Sequence, residues 1–223
     1  SDNVYQSPTD MGVNMAGYGI MDDEVVREAS RQEIIRRYYK AKVDYAKGRT
    51  DEETVKKIEM VMKNLDLSPD DRRVVRPALE RAAQTGSPAF AIELPDGTVV
   101  TGKGAGIMNA DASAVLNAIK VLADIPKKTL LMSPAVLEPV IDLKTNLLCS
   151  SSSALKLDDA LTALYICAAG DETAALAVAQ LPKLRGCELH STQILHSGDE
   201  SILRKLRMNF TCEPVFPDKS LII

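Results

Sequence analysis

Few residues in this chain have the type and spacing to do chemistry. The stretch Thr101-Gly-Lys-Gly-Ala-Gly-Ile-Met-Asn109 lies between an extended segment and the start of a helical pattern. Backbone amides in such a turn can cradle a phosphate or carboxylate, and a lysine beside them neutralises it. Gly102, Lys103, Gly104 and Asn109 are therefore candidate ligand-binding residues for a small anionic or nucleotide-like compound. The spacing matches neither the phosphate loop ending in Gly-Lys-Ser/Thr nor the dinucleotide fingerprint, so a plain connection competes with that reading.

A second group is Glu188, His190 and Thr192, which alternation places on one face of a strand. His190 beside the Glu188 carboxylate could carry a proton in catalysis, and a buried, hydrogen-bonded histidine explains the same pattern. Alternation also turns Cys187 away from His190. Joint zinc ligation with Cys212 is therefore disfavoured, and a fourth ligand is missing. No metal and no cofactor are expected. A third group, Ser7, Thr9, Asp10 and Asn14, could present hydroxyl, carboxylate and amide groups to a ligand, or could cap a helix. No nucleophile–base pair emerges, and the residues leave open whether the chain is an enzyme.

Composition narrows the remaining classes. The 223 residues carry a net charge of −4, no Trp, six Tyr and three Phe. Neither a basic footprint nor a stacking platform is present, so nucleic acid is not an expected partner. No apolar run approaches the length of a bilayer crossing, so no membrane association is expected. Four cysteines without a secretory leader read as reduced thiols in a cytoplasmic protein.

The elements that must position these groups fall into two patterns. Charged side chains crowd the first 86 residues and thin out afterwards, and Thr85-Gly-Ser-Pro88 is a stop followed by a loop. We read a packed N-terminal segment over 1–21, a helical subdomain over 22–86 and an α/β domain over 87–223. Helix one runs from Asp22 or Asp23 to about Ala46, with the apolar stripe Ile34, Tyr38, Ala41 and Tyr45. Thr50-Asp-Glu-Glu53 opens a second helix with the seam Val55, Ile58, Met62 and Leu65. Ser68-Pro-Asp-Asp71 starts a third, which Pro77 kinks or splits.

Beyond Gly86, Ala89–Leu94 and Thr98–Thr101 flank Pro-Asp-Gly97 as a hairpin, and a helix spans about Asp111 to Asp124. Thr129–Met132 reads as a buried strand. Asp158–Ala169 and Glu172–Leu181 are apolar nearly all round and read as buried helices. Glu188–Leu195, Glu200–Leu206 and Asn209–Phe216 read as strand, helix, strand. The alternation predicts an α/β fold with a mixed, mainly parallel sheet of about five strands and helices on its faces.

Four passages carry a family resemblance: Ser7-Pro-Thr-Asp-Met-Gly-Val-Asn-Met-Ala-Gly17, Gln32-Glu-Ile-Ile-Arg-Arg-Tyr-Tyr39, Ile92-Glu-Leu-Pro-Asp-Gly-Thr98 and Gln180-Leu-Pro-Lys-Leu-Arg-Gly-Cys-Glu188, with Thr211-Cys-Glu-Pro214 agreeing. Together they resemble the C-terminal part of a bacterial family known as domain of unknown function 1846. The resemblance implies a longer parent with an N-terminal α/β region bearing a glycine-rich, nucleotide-loop-like turn, and no established activity. The order of elements is also similar to the cytidine-deaminase-like fold. In that comparison Asn109-Ala-Asp-Ala-Ser113 and Ser133-Pro-Ala-Val-Leu-Glu138 occupy the places of the zinc motifs without their ligands.

The favoured expectation is the C-terminal portion of a larger cytosolic bacterial protein. It would serve binding, interdomain packing against a missing N-terminal region, or oligomerisation, as a homodimer through helix one. The rival is an enzyme domain that binds a small anionic ligand at the 102–109 loop.

Overall fold

The computed structural model describes residues 23–150 and 152–217. The chain divides between Arg72 and Arg73 into two compact units. Ser7, Thr9, Asp10 and Asn14, with the expected packed segment over 1–21, lie outside the described residues.

In the first unit, helix α1 (Asp23–Ala46) packs on α2 (Glu52–Asn64). The turn between them passes through Gly48 at φ 67°, left-handed backbone that costs glycine nothing. Asp51, one residue beyond the expected start, caps α2: Thr54 donates to its Oδ1 from both N (2.8 Å) and Oγ1 (2.7 Å). The apolar seam agrees with the expected stripe at Ala41 and departs from it elsewhere. Ile35, Tyr39, Ala41 and Val43 are buried, whereas Tyr45 is 48% exposed. Tyr38 instead stands edge-on to the Tyr39 ring and carries the Lys42 ammonium 5.1 Å from its centroid, so its wet tip and a cation share the outer side. On α2, Val55 and Met62 are buried but Leu65 is not. Ser68 does cap, with Asp71 Oδ2 accepting from Ser68 N at 2.7 Å, yet only one 3₁₀ turn, Pro69–Asp71, follows.

The second unit opens with α3 (Val75–Thr85). Pro77 neither kinks nor splits it. The proline sits in the first turn, where the missing N–H has no intrahelical acceptor to lose. Strands β1 (Ala89–Glu93) and β2 (Val99–Lys103) form the expected hairpin. Asp96 accepts from Thr98 N at 2.9 Å, and Gly97 takes φ 83°. Then come α4 (Ala110–Leu122), α5 (Pro134–Asp142), a π-helical turn over Leu143–Leu147, α6 (Leu157–Ala168) and α7 (Glu172–Val178). Strand β3 (Glu188–Ser191), α8 (Ser197–Lys205) and β4 (Asn209–Cys212) close the unit.

The α/β class and the mixed sheet with helices on its faces hold. The sheet has four strands among the described residues, in the order β2-β1-β3-β4. It is not mainly parallel: β1 runs antiparallel to β2 and to β3, and only β3 and β4 run parallel. Thr129–Met132 is not a strand. Thr129 N donates to Pro126 O in a turn, Lys120 Nζ takes the Thr129 carbonyl, and Leu130 is 78% exposed. The strand that a cytidine-deaminase-like order requires after the first helix is therefore absent there.

Alternation along β1 sorts the layers. Phe90 and Ile92 join the main core with α4, α6 and α7, while Ala91 packs with Val74, Ala78 and Val99 under α3. Helices α6 and α7 bury one side only. Leu157, Ala160, Ala163 and Leu164 are fully inside, but Tyr165, Ile166 and Leu176 are more than half exposed. The tightest contact is between β2 and α4. A Cβ on Gly102 would lie 2.2 Å from Ala114 N, so the absent side chain is what lets the helix lie on the strand.

Candidate functional site

A cavity of about 550 Å³ opens beside that contact, a size suited to a small metabolite. Its walls are the end of β2 and the loop after it, the outer side of α4, the 127–132 segment, and Arg81 from α3. Four cationic side chains line it: Arg81, Lys103, Lys120 and Lys127. No carboxylate, histidine or cysteine does so among the described residues. Thr101, Ser113 and Asn117 add uncharged polar groups, and the apolar part has Met108, Leu116, Leu131 and Met132 inside and the exposed Ile107 and Leu130 at the mouth.

The cations differ in how far they are already committed. Lys120 Nζ donates to Lys127 O at 3.1 Å and also to Thr129 O, so it staples the 127–129 turn to α4. Partial burial holds its pKa below the usual lysine value. Asn117 braces the same wall from α4, donating to Thr101 O at 3.0 Å. The Arg81 Nε is buried and has no acceptor among the described residues, an unpaired donor in a side chain that lines the cavity. Lys103 and Lys127 have no carboxylate partner among the described residues.

The sequence-proposed loop thus meets the cavity in part. Gly102 and Lys103 line it. Gly104 N is instead tied to Pro88 O (2.8 Å), and Asn109 N to Leu155 O (2.9 Å), so neither amide is aimed at a ligand. Arg81, Lys120 and Lys127 went unrecognised because they come from elements far apart in sequence. The one local signal was Lys120, a lone cation in the apolar run of α4.

Glu188 and His190 are not brought together. Glu188 accepts from Asn209 Nδ2 at 2.9 Å. His190 is fully buried between β3 and β4, with Nδ1 2.8 Å from Thr211 Oγ1 and Nε2 3.3 Å from Glu213. Thr192 Oγ1 accepts from Ala89 N at 3.0 Å. The carboxylate beside His190 is therefore Glu213; Glu188 and His190 stitch β3 to its parallel neighbour β4, Thr192 ties the end of β3 to β1, and none of the three lines the cavity.

A second polar cluster had no sequence forecast. Asp111, in the first turn of α4, is 3% exposed, and Asp199, in the first turn of α8, is 4% exposed. Asp111 Oδ2 finds no N–H donor. Its neighbour is the Asp199 carboxylate, so only a proton can join them. Burial first, and then the Asp199 charge, push the Asp111 pKa up to about 7. Burial raises Asp199 as well, against a hydrogen bond from Asp111, the charge of His196 and the backbone N–H of Leu157. The signal was an acid flanked by alanines, Ala110-Asp111-Ala112, where an exposed first-turn carboxylate is the usual sight.

Comparison with known proteins places the chain. Residues 1–66 match the sequence model of "Domain of unknown function DUF1846, N-terminal", and residues 70–222 that of "Domain of unknown function DUF1846, C-terminal". The chain is similar to UPF0371 proteins of Clostridioides difficile strain 630 (47% identical), Clostridium tetani (48%) and Clostridium botulinum strain Alaska E43 (45%), with 99% of this chain covered in each case. It spans somewhat under half the length of these relatives, 45–46% of each. The chain belongs to the DUF1846 family. The likeness is not confined to the family's C-terminal part, because residues 1–66 match the N-terminal model. Among the described residues no helix is long and apolar enough to cross a membrane, and no group of three or more His, Cys, Asp or Glu could hold a metal ion.

Proposed function

We propose that the α/β unit binds a small anionic compound with an apolar body in the cavity between the 102–108 loop and α4. One observation carries this reading: four cations, one with a buried unpaired donor, line a cavity that no carboxylate of the described residues enters. Cations gathered without counter-charge repel one another, and an anion relieves that repulsion while the leucine and methionine walls take its apolar part. Among the described residues no carboxylate, imidazole or thiol lines the cavity, and the lining supports the holding of a ligand. Self-association through Ile34, Tyr38, Ala41 and Tyr45 has less support, because Ala41 is buried and Ile35 and Tyr39, in place of Ile34 and Tyr38, form the buried seam.

The test uses 1-anilinonaphthalene-8-sulfonate, an anion with an apolar body, and its uncharged relative N-phenyl-1-naphthylamine. The sulfonate should bind one to one with enhanced fluorescence, and the neutral compound about tenfold more weakly. The double variant Lys103→Ala, Lys127→Ala should weaken the sulfonate about tenfold, the equivalent of one charge-assisted hydrogen bond. Equal binding of both compounds, or a double variant that binds like the parent, overturns the reading.

A further inference from the structure

The N-termini of three helices converge on the Asp111–Asp199 pair. Asp111 opens α4, Asp199 opens α8, and the first amide of α6, Leu157 N, donates to Asp199. The same ends also hold the inner edge of the cavity loop. Asn109 N donates to Leu155 O at 2.9 Å and Leu155 N to Ile107 O at 2.8 Å, a short parallel bridge two residues before each of α4 and α6. Met108, inside that bridge, lines the cavity.

We propose that Asp111 and Asp199 form a proton-operated latch. It holds the starts of α4, α6 and α8 together while one proton is shared, and it frees the 107–109 bridge when the proton leaves. Two carboxylates in contact and away from water cannot both be charged without a large penalty, whereas the half-protonated pair is a charge-assisted hydrogen bond. Few other charges bear on the pair. Just before α8 there is His196, half-buried, and from α6 Asp158; the one draws the proton off Asp199 and the other keeps it on. Helix α7 also packs on α4, and its one charged residue, Glu172, is exposed. From the sheet, Glu93 is paired with Arg73 and Lys103 stands in the cavity.

The direction of the pH effect follows. The folded-state pKa of Asp111, about 7, lies above its ordinary 3.8. Between those values the folded chain keeps a proton that the unfolded chain has lost. Stability is therefore greatest at the acid end of this window, falls as pH rises through it, and levels off above about 7. With one proton at stake, the folding equilibrium changes up to about tenfold per pH unit within the window.

The experiment needs no ligand, so its outcome is independent of the cavity reading. Infrared spectra of the native protein should show the carbonyl stretch of a protonated carboxylic acid at about pH 6, lost by about pH 8 and absent from Asp111→Asn. Amide exchange at Asn109 and Leu155, corrected for intrinsic rates, should accelerate about tenfold over that range in the parent and less than about twofold in Asp111→Asn. Asp199→Asn, should Asp111→Asn not fold, is expected to remove the pH dependence in the same way. A parent protein without the protonated band at about pH 6, or a variant whose bridge amides respond to pH like the parent's, overturns the latch.

Discussion

The two units differ in how much charge and polarity they bury. In the helical unit most charges lie on the surface, many as neighbours one helical turn apart, such as Glu52 with Lys56 and Glu53 with Lys57, each at 2.9 Å and largely exposed; Arg72, at the end of the unit, is the buried exception. In the α/β unit, polar groups sit inside the packing. Lys144 is 8% exposed and clamps Asp159 and the Ala154 carbonyl at 2.6 Å each; His190 bridges two strands; Asp111 and Asp199 share a proton. Exposed pairs are nearly interchangeable with solvent, whereas a buried polar group deprived of its partner retains the whole cost of its desolvation. Sensitivity to substitution should therefore differ sharply between the units.

The largest expected effect tests the tightness of the α/β unit. Gly102→Ala forces α4 off β2, because the new methyl overlaps the Ala114 backbone, and should cost about 3 kcal/mol or more in urea unfolding. A loss under about 1 kcal/mol would mean that the strand–helix contact yields readily and that the contrast is overdrawn.

Next comes Lys144→Met, which keeps the stem and removes the ammonium. Asp159, whose side chain is a quarter exposed, would lose its cation while its second donor, Lys156 N at 3.1 Å, stays. We expect about 2 kcal/mol, below the value for a fully buried pair because water can reach the carboxylate.

At the small end, Glu53→Ala in α2 should change the unfolding midpoint by less than the equivalent of about 0.5 kcal/mol. A larger effect would show that the helical unit depends on its surface pairs and would erase the distinction.

What could be read from the residues follows the same divide. Local chemistry was legible. The Pro-Asp-Gly97 hairpin, Gly86 closing α3 at φ 63°, and the starts of α4, α6 and α8 all lie within a few residues of where their pattern put them. Long-range pairing was not. Nothing in Glu188–Ser191 says that it will meet β1 antiparallel and β4 parallel, because strand direction is set by distant partners. Thr129–Met132 has a strand's composition, but Lys120 takes the Thr129 carbonyl that a ladder would need. The site divides likewise. The glycine-rich loop announced itself, although Gly102 is required by packing and only Lys103 is free to meet a ligand. Arg81, Lys120 and Lys127 are ordinary surface cations until the fold gathers them.

The strand order also has a consequence in time. The β1–β2 hairpin and α4 lie close in sequence, and their mutual contacts can form early, once the chain has closed a few short loops. Phe90, however, must wait for Ser191, on the order of a hundred residues later, before the other side of β1 is paired. Until then β1 presents an open edge of unpaired backbone groups, a surface that invites pairing with another copy. Refolding should accordingly be slow and should lose yield as protein concentration rises, with the late arrival of β3 and β4 setting the rate.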